Sequence, residues 1–320
     1  MSAPTLTQDP AAKERRPRRP RAGAVRPPAG GLGKAVRRNV TAHAFLIGAV
    51  LCFAFFSWYP IVREFLLAFQ KTEDGQVSWT GWDNFVTVWN DPAFGQAWRN
   101  TLWFTALALV LGFAVPFVTA LVINEFRHGQ GCLRLLVYLP VMLPPTASVL
   151  LFKYLYDPGY GMFNEVLDVF GVPAQQWLQD PDTAMLSVVV ASTWMNMGGA
   201  TLIYLAALQS VPGELYEAAE LDGAGLLRKV WHVTIPQTRL ILALMLLMQI
   251  IATMQVFIEP FLLTGGAGPE GSTTTVVYLI YQYAFNFNNY GAAAALGLIL
   301  LVTLAVFSAV YARLNRATEE

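Results

Sequence analysis

The sequence predicts an all-α integral membrane protein with six transmembrane helices, on three observations. Of its 320 residues, 55% are hydrophobic and only 13% charged, where water-soluble domains carry about 25% charged residues. Six stretches, 43–67, 101–124, 133–156, 184–209, 239–264 and 291–313, reach the roughly 20 mainly apolar residues that a helix needs to cross hydrocarbon. The basic residues, finally, gather on one side of those stretches. Strict alternation is missing from the runs, and all are too long for barrel strands.

Residues 1–41 are rich in Pro, Arg, Ala and Gly and too polar to pack, which predicts a disordered tail. They hold Lys13, Arg15, Arg16, Arg18, Arg19, Arg21, Arg26, Lys34, Arg37 and Arg38. No short apolar core with a cleavage site follows, so the tail does not read as a secretory signal. Beside a span, a basic tract is a topology anchor touching anionic lipid rather than an arm for nucleic acid. Arg127 and Arg134 follow the second span; Arg228, Lys229 and Arg239 follow the fourth; Arg313 and Arg316 follow the last. The alternate loops hold Lys71 and Arg99, while Arg63 and Lys153 fall inside apolar segments. Positive residues stay inside, which places both termini and the loop around Glu217 in the cytoplasm. The domain reading is a basic tail (1–41), a membrane domain (42–316) containing a loop at 212–236, and a C-terminal end (317–320).

A seventh stretch, 273–287, is shorter and carries Gln282 and Asn286, which predicts a re-entrant or interfacial helix. Asn286, Asn288 and Asn289 are expected to break it before the last span. Glu259, next to Pro260, is expected near the outer end of the fifth span, where it meets interfacial water or, as the alternative, contacts an extracytoplasmic binding protein. Cys52 and Cys132 lie in or beside apolar runs without metal-ligand or disulfide spacing and read as packing residues.

Loop 212–236 is the most informative segment. Pro212 opens a helix, since proline is tolerated in a first turn, and good helix formers follow from Glu214. Gly223 ends that helix or admits a close backbone. Leu226, Leu227, Val230 and Trp231 resume helical spacing until Pro236 interrupts it, giving two short helices lying on the inner membrane surface.

The spacing in this loop, Glu217-Ala218-Ala219, three residues, Gly223, nine residues, Val233, then Ile235-Pro236, resembles the EAA signature of ABC-importer permeases. Further segments resemble the permeases of that kind that import carbohydrates: Gly81-Trp82-Asp83-Asn84-Phe85, Asn100-Thr101-Leu102, Pro140 with Pro144-Pro145, and Leu263-Thr264-Gly265-Gly266. The resemblance covers about 42–316 and is strongest to the MalF-like half of a two-permease sugar importer, without the large extracytoplasmic insertion of the maltose protein.

That resemblance implies a type I importer fold in the cell inner membrane. It makes Glu217, Ala218, Ala219, Asp222, Gly223 and Pro236 the ATPase-coupling residues, and Ser192, Met195, Asn196, Gln249, Thr253 and Val256 the substrate path. It also implies four kinds of partner: a second permease, ATP-binding subunits, an extracytoplasmic solute-binding protein and a sugar. Glycerol phosphate esters and polyols are the alternative cargo. Polar residues inside spans face the bundle interior, and amides, hydroxyls and an aromatic face such as Trp194 suit a sugar ring.

Rival classes lack their requirements. An ion-coupled secondary transporter needs ionisable groups near the midplane, and none is read there. An integral membrane enzyme needs a cluster at one depth, whereas His43, His128 and His232 are scattered. No G-x-x-x-x-G-K-[ST] loop occurs, so ATP and its Mg are expected on partner ATPase subunits, with no cofactor on this chain.

Overall fold

The computed structural model describes residues 46–73, 76–126 and 128–316. The expectations for the tail 1–41, for His43, Arg127 and 317–320 lie outside the described residues. The chain divides into two compact units, residues 1–60 and 61–320. Helix α1 (Leu46–Leu67) carries a wide turn at Ala54–Trp58, where Tyr59 N–H bonds back to the Ala54 carbonyl. Pro60 follows at once, and a turn with one extra residue spares its ring the usual clash with the preceding carbonyls.

Among the described residues from Ile61 on, the regular elements are helices apart from one hairpin. Strands β1 (Gln70–Glu73) and β2 (Gln76–Trp79) pair antiparallel with Gln70 opposite Trp79; the sequence reading missed this hairpin. The helices that follow are α2 (Asp83–Trp89), α3 (Pro92–Glu125), α4 (Gln130–Met142), α5 (Pro145–Leu155), α6 (Met162–Val169), α7 (Pro181–Gln209) and α8 (Gly213–Leu221). Helix α9 runs over Leu226–Met254, followed by α10 (Ile258–Thr264), α11 (Val276–Tyr281) and α12 (Tyr290–Arg316).

Among the described residues five helices, α1, α3, α7, α9 and α12, are long and apolar enough to cross a membrane. The third expected span, 133–156, is not continuous. Helices α4 and α5 meet at a bend of 97°, because Pro144 and Pro145 remove consecutive donors and push Leu143 into the extended region (ψ 142°). Six crossings are reached only if the bent pair counts as one. The fifth expected span, 239–264, is likewise broken, ending its long helix at Met254. At its other end that helix runs through Pro236 rather than stopping there: Ile235 N–H bonds back five residues to Val230, the same wide turn before proline as at Pro60.

Helices α3 and α7 form the centre of this unit and run parallel. Near their starts, Phe104 and Ala108 pack with Met185, Val188, Val189 and Met195. Near their ends, Ala120 and Ile123 pack with Tyr204, Leu205 and Leu208. Helix α4 lies hard on α7, since a Cβ at Gly198 would meet the Val137 carbonyl at 2.6 Å. A third cluster joins Val276, Leu279 and Tyr283 to Ala292–Leu296 of α12. The 273–287 stretch is therefore a short element buried or half-buried over 273–284 and exposed at Phe285, Asn286 and Phe287, capped by the Thr275 side chain on Tyr278 N–H. As expected, the asparagines end it: Asn288 takes φ +53° and Asn289 Oδ1 accepts from Ala292 N–H.

Candidate functional site

Two features stand out, an exposed helix at one end of the bundle and a cavity between its central helices. Helix α8 leaves α7 through Pro212 and stops at Gly223. There Gly223 N–H bonds to the Glu220 carbonyl and Ala224 N–H to the Ala219 carbonyl, both at 2.9 Å, a Schellman end that needs a left-handed residue. Gly223 supplies it with φ +72°, and nothing lies within 4 Å of a Cβ built there. Of the two uses expected for this glycine, helix termination is the one realised within the chain.

Two side-chain links hold α8 to the start of α9. Tyr216 hydroxyl meets Thr234 Oγ1 at 3.1 Å, and Lys229 Nζ donates to Glu220 at 2.7 Å. The Lys229 bond holds the Glu220 carboxyl below the usual carboxylate range. The outer face is free. Glu217, Ala218, Asp222, Gly223 and Pro236 are exposed, Ala219 is half-buried, and Leu221 is 90% exposed. An exposed apolar side chain thus sits beside a carboxyl on a helix held by two side-chain links along its inner edge.

The cavity, of about 470 Å³, lies between α3, α7 and α9 and the break that follows α9, a size typical of small-molecule sites. Five of the six expected path residues line it: Ser192, Asn196, Gln249, Thr253 and Val256. Met195 does not. It is buried in the apolar cluster with Phe152 and Val189, because one residue along a helix turns the side chain away by about 100°. Trp194 is also turned away, packed edge-on against Phe152 at 5.4 Å. Phe104 and Phe257 supply the aromatic lining instead.

The break after Met254 gives the cavity its floor, and Pro260 explains it. Without an N–H, Pro260 cannot bond to the Val256 carbonyl four residues back; Thr275 Oγ1 donates to that carbonyl at 3.0 Å instead. Phe257 departs from helical geometry (φ −140°, ψ −51°), and Glu259 swings inward. Its Oε1 accepts from Ser192 Oγ at 3.0 Å and from Asn196 Nδ2 at 3.2 Å. Ser192 and Asn196 sit one turn apart near the middle of α7. The expectation that Glu259 meets interfacial water at a span end is thus overturned, and so is the reading that no acid reaches mid-span. The sequence carried one signal of it, the Glu259-Pro260 pair inside an apolar run.

Gln249 enters the cavity beside Gly112, where a Cβ would lie 2.6 Å from Gln249 Nε2; this amide donates to the Ala108 carbonyl at 3.4 Å. Thr253 spends its hydroxyl on the Gln249 carbonyl of its own helix at 2.8 Å. Among the described residues no group of His, Cys, Asp and Glu could hold a metal ion.

The motif segments at the opposite end from α8 are joints. Asn84 Nδ2 donates to the Ala68 and Gln70 carbonyls at 3.0 and 2.8 Å. Asn100 Nδ2 donates to Gly271 and Thr274 at 2.8 and 3.0 Å, while Thr101 Oγ1 accepts from Val276 N–H. Gly266 leaves room for the Tyr278 ring, whose hydroxyl donates to the Gly265 carbonyl.

Known proteins agree with this architecture. YurN of Bacillus subtilis (strain 168), a probable ABC transporter permease protein, is 33% identical over 277 residues, spanning 84% of this chain and 94% of that protein. AraP of the same organism, an arabinooligosaccharides transport system permease protein, is 30% identical, with 87% and 89% covered. A crystal structure of a bacterial ABC transporter involved in the import of the acidic polysaccharide alginate superposes with a TM-score of 0.79 at 26% identity. It covers 90% of this chain and 99% of the matched one. The family described as binding-protein-dependent transport system inner membrane component matches residues 112–320, so this chain, with its broken central span, exposed α8 and mid-bundle cavity, belongs to that family of ABC-transporter permeases.

Proposed function

We propose that this chain forms one half of the membrane path of an ATP-driven importer for a sugar or oligosaccharide. The observation that carries this reading is the pairing of α8, exposed and tethered to α9, with a polar cavity between α7 and α9. A push on α8 would pass through the Tyr216–Thr234 and Glu220–Lys229 links into the helix that walls the cavity, a rigid-body stroke. In this reading Glu217 gives its carboxylate to an ATP-binding subunit, and Ala218 and Ala219 allow its close approach. Asp222 and Gly223 shape the helix end, and Pro236 sets the wide turn above it. The chain has no catalysis of its own; ATP and Mg are held by the partner ATPase subunits.

A second permease completes the path, and a solute-binding protein on the other side delivers the cargo; the binding-protein dependence in the family description supports the latter. Both termini and α8 face the cytoplasm of a multi-pass membrane protein. Ser192, Asn196, Gln249 and Thr253 contact the sugar in transit, with Phe104 and Phe257 against its apolar face. A carbohydrate cargo is supported by AraP and the alginate transporter, and glycerol phosphate esters and polyols are the competing solutes.

The test is uptake across a panel of labelled sugars, polyols and glycerol phosphates by a deletion strain carrying the chain with its partners. Glu217→Lys should abolish uptake and uncouple ATP hydrolysis, and Gly223→Pro should do the same, with the chain still inserted. Normal uptake in both variants would remove the coupling role of α8.

A further inference from the structure

We propose that Glu259 is a charge filter in the translocation cavity, so that the permease passes uncharged or amino-bearing sugars and rejects acidic ones. The inference rests on the sugar-path reading above and narrows it to a substrate class.

Among the described residues lining the cavity, Glu259 is the one ionisable side chain; the rest are apolar, hydroxyl or amide groups. Its Oε1 takes two donors, Ser192 Oγ and Asn196 Nδ2, which suits an acceptor-only carboxylate. Lys, Arg and His are absent from the described lining residues, so no cation there offsets the charge. Glu259 is half-buried, leaving part of it toward the cavity, and Asn196 beside it is exposed.

A solute at this depth must pass Ser192 and Asn196, and therefore within contact range of the same carboxylate. A second negative charge at about 4 Å is disfavoured roughly fivefold even at the dielectric of water, and more where water is thinned. A hydroxyl or an ammonium group meets the reverse, an acceptor already oriented by two bonds. Discrimination of this kind is a repulsive element against the wrong cargo. It weighs against uronates, sulfonated sugars and glycerol phosphate esters alike.

The experiment reads the cavity directly in the purified complex of this chain with its partner subunits. Cys52 and Cys132 are replaced by Ser, and Ala252, an exposed lining residue, is changed to Cys. Cationic trimethylammonium-ethyl, anionic sulfonato-ethyl and neutral methyl methanethiosulfonates are then timed against it, each rate divided by its rate on free cysteine. With Glu259 in place the cationic reagent should outrun the anionic one at least severalfold. Glu259→Gln keeps an oxygen for Ser192 and Asn196 and should bring the ratio near one. Saturating maltose, chitosan disaccharide or digalacturonate is then added to protect the cysteine from the neutral reagent. The first two should protect in the parent, and digalacturonate only in Glu259→Gln. A parent ratio near one, or protection by digalacturonate in the parent equal to that by maltose, overturns the filter. If no saccharide protects while the reagent ratio still depends on Glu259, the charge assignment stands and the sugar reading falls. Should Glu259→Gln fail to assemble, the parent ratio alone decides.

Discussion

At the scale of single residues, small side chains and amides set the geometry that the chemistry uses. Gly112 is the clearest case. A methyl there would press on the free end of Gln249, 2.6 Å from its Nε2, and a flexible side chain gives way cheaply. Gly112→Ala is therefore expected to cost less than about 1 kcal/mol of stability yet swing the Gln249 amide across the path. Uptake should drop severalfold while the melting temperature in detergent barely moves; a large melting shift with normal uptake contradicts this role. Asn84 is the opposite case, a residue of structure and not of transport. Asn84→Ala leaves the Ala68 and Gln70 carbonyls without their donor, a loss of about 2–4 kcal/mol that thermal unfolding should register. Neither effect is readable in one dimension. Gly112 and Gln249 lie far apart in sequence, and Asn84 can be quoted as part of a pattern without its two acceptors being known. Glu259 escapes sequence reasoning for the same reason: its partners stand 67 and 63 residues away.

Elements are more legible than the contacts between them, wherever a local rule decides the outcome. Apolar length finds the long helices, and Gly223 ends α8 because the left-handed turn after a helix is a local demand. Proline is legible as a disturbance but not in its form. At Pro144-Pro145 it breaks a span, at Pro260 it frees a carbonyl for Thr275, and at Pro236 it is absorbed by a wide turn. That last solution gives a prediction. In Pro236→Ala the restored N–H can bond to His232, so the turn at Val230–Thr234 can relax to regular helix, rotating all that precedes it by about 100°. Thr234 then turns away from Tyr216. The ATP consumed per solute imported should rise, and an unchanged stoichiometry would show that the wide turn is passive. The Glu220–Lys229 bond predicts a pH response of the same element. Bonding lowers the Glu220 carboxyl in the folded loop. Its contribution is therefore complete above the ordinary carboxylate value and lost as pH falls through the lowered one. Exchange protection of the 213–224 amides, corrected for intrinsic rates, should hold from neutrality down to the ordinary range and decline below it. In Glu220→Gln that decline should be absent.

For the whole molecule, charge asymmetry carries the argument about orientation. Helices α3 and α7 run in parallel and deliver their C-terminal ends to the α8 end of the bundle, where Arg134, Arg228, Lys229, Arg239 and Arg313 belong by topology. The hairpin, α2 and the joints at Asn100 and Gly266 gather at the other end, with Trp79, Trp82 and Trp89 each more than half exposed, as befits a headgroup-level belt. The positive-inside rule then points the α8 end to the cytoplasm, and the 90% exposure of Leu221 makes α8 the place to measure it. With Cys52 and Cys132 replaced by Ser, Leu221→Cys should resist a membrane-impermeant maleimide in intact cells and react fully in inverted vesicles. Trp82→Cys should show the opposite pattern. Labelling of the Leu221→Cys variant from outside would invert the molecule, leaving α8 unable to reach any ATP-binding subunit and the cavity facing its delivery partner from the wrong side. The two substituted positions sit on opposite ends of one bundle, so a leaky preparation, which labels both, is distinguished from a reversed topology, which exchanges them.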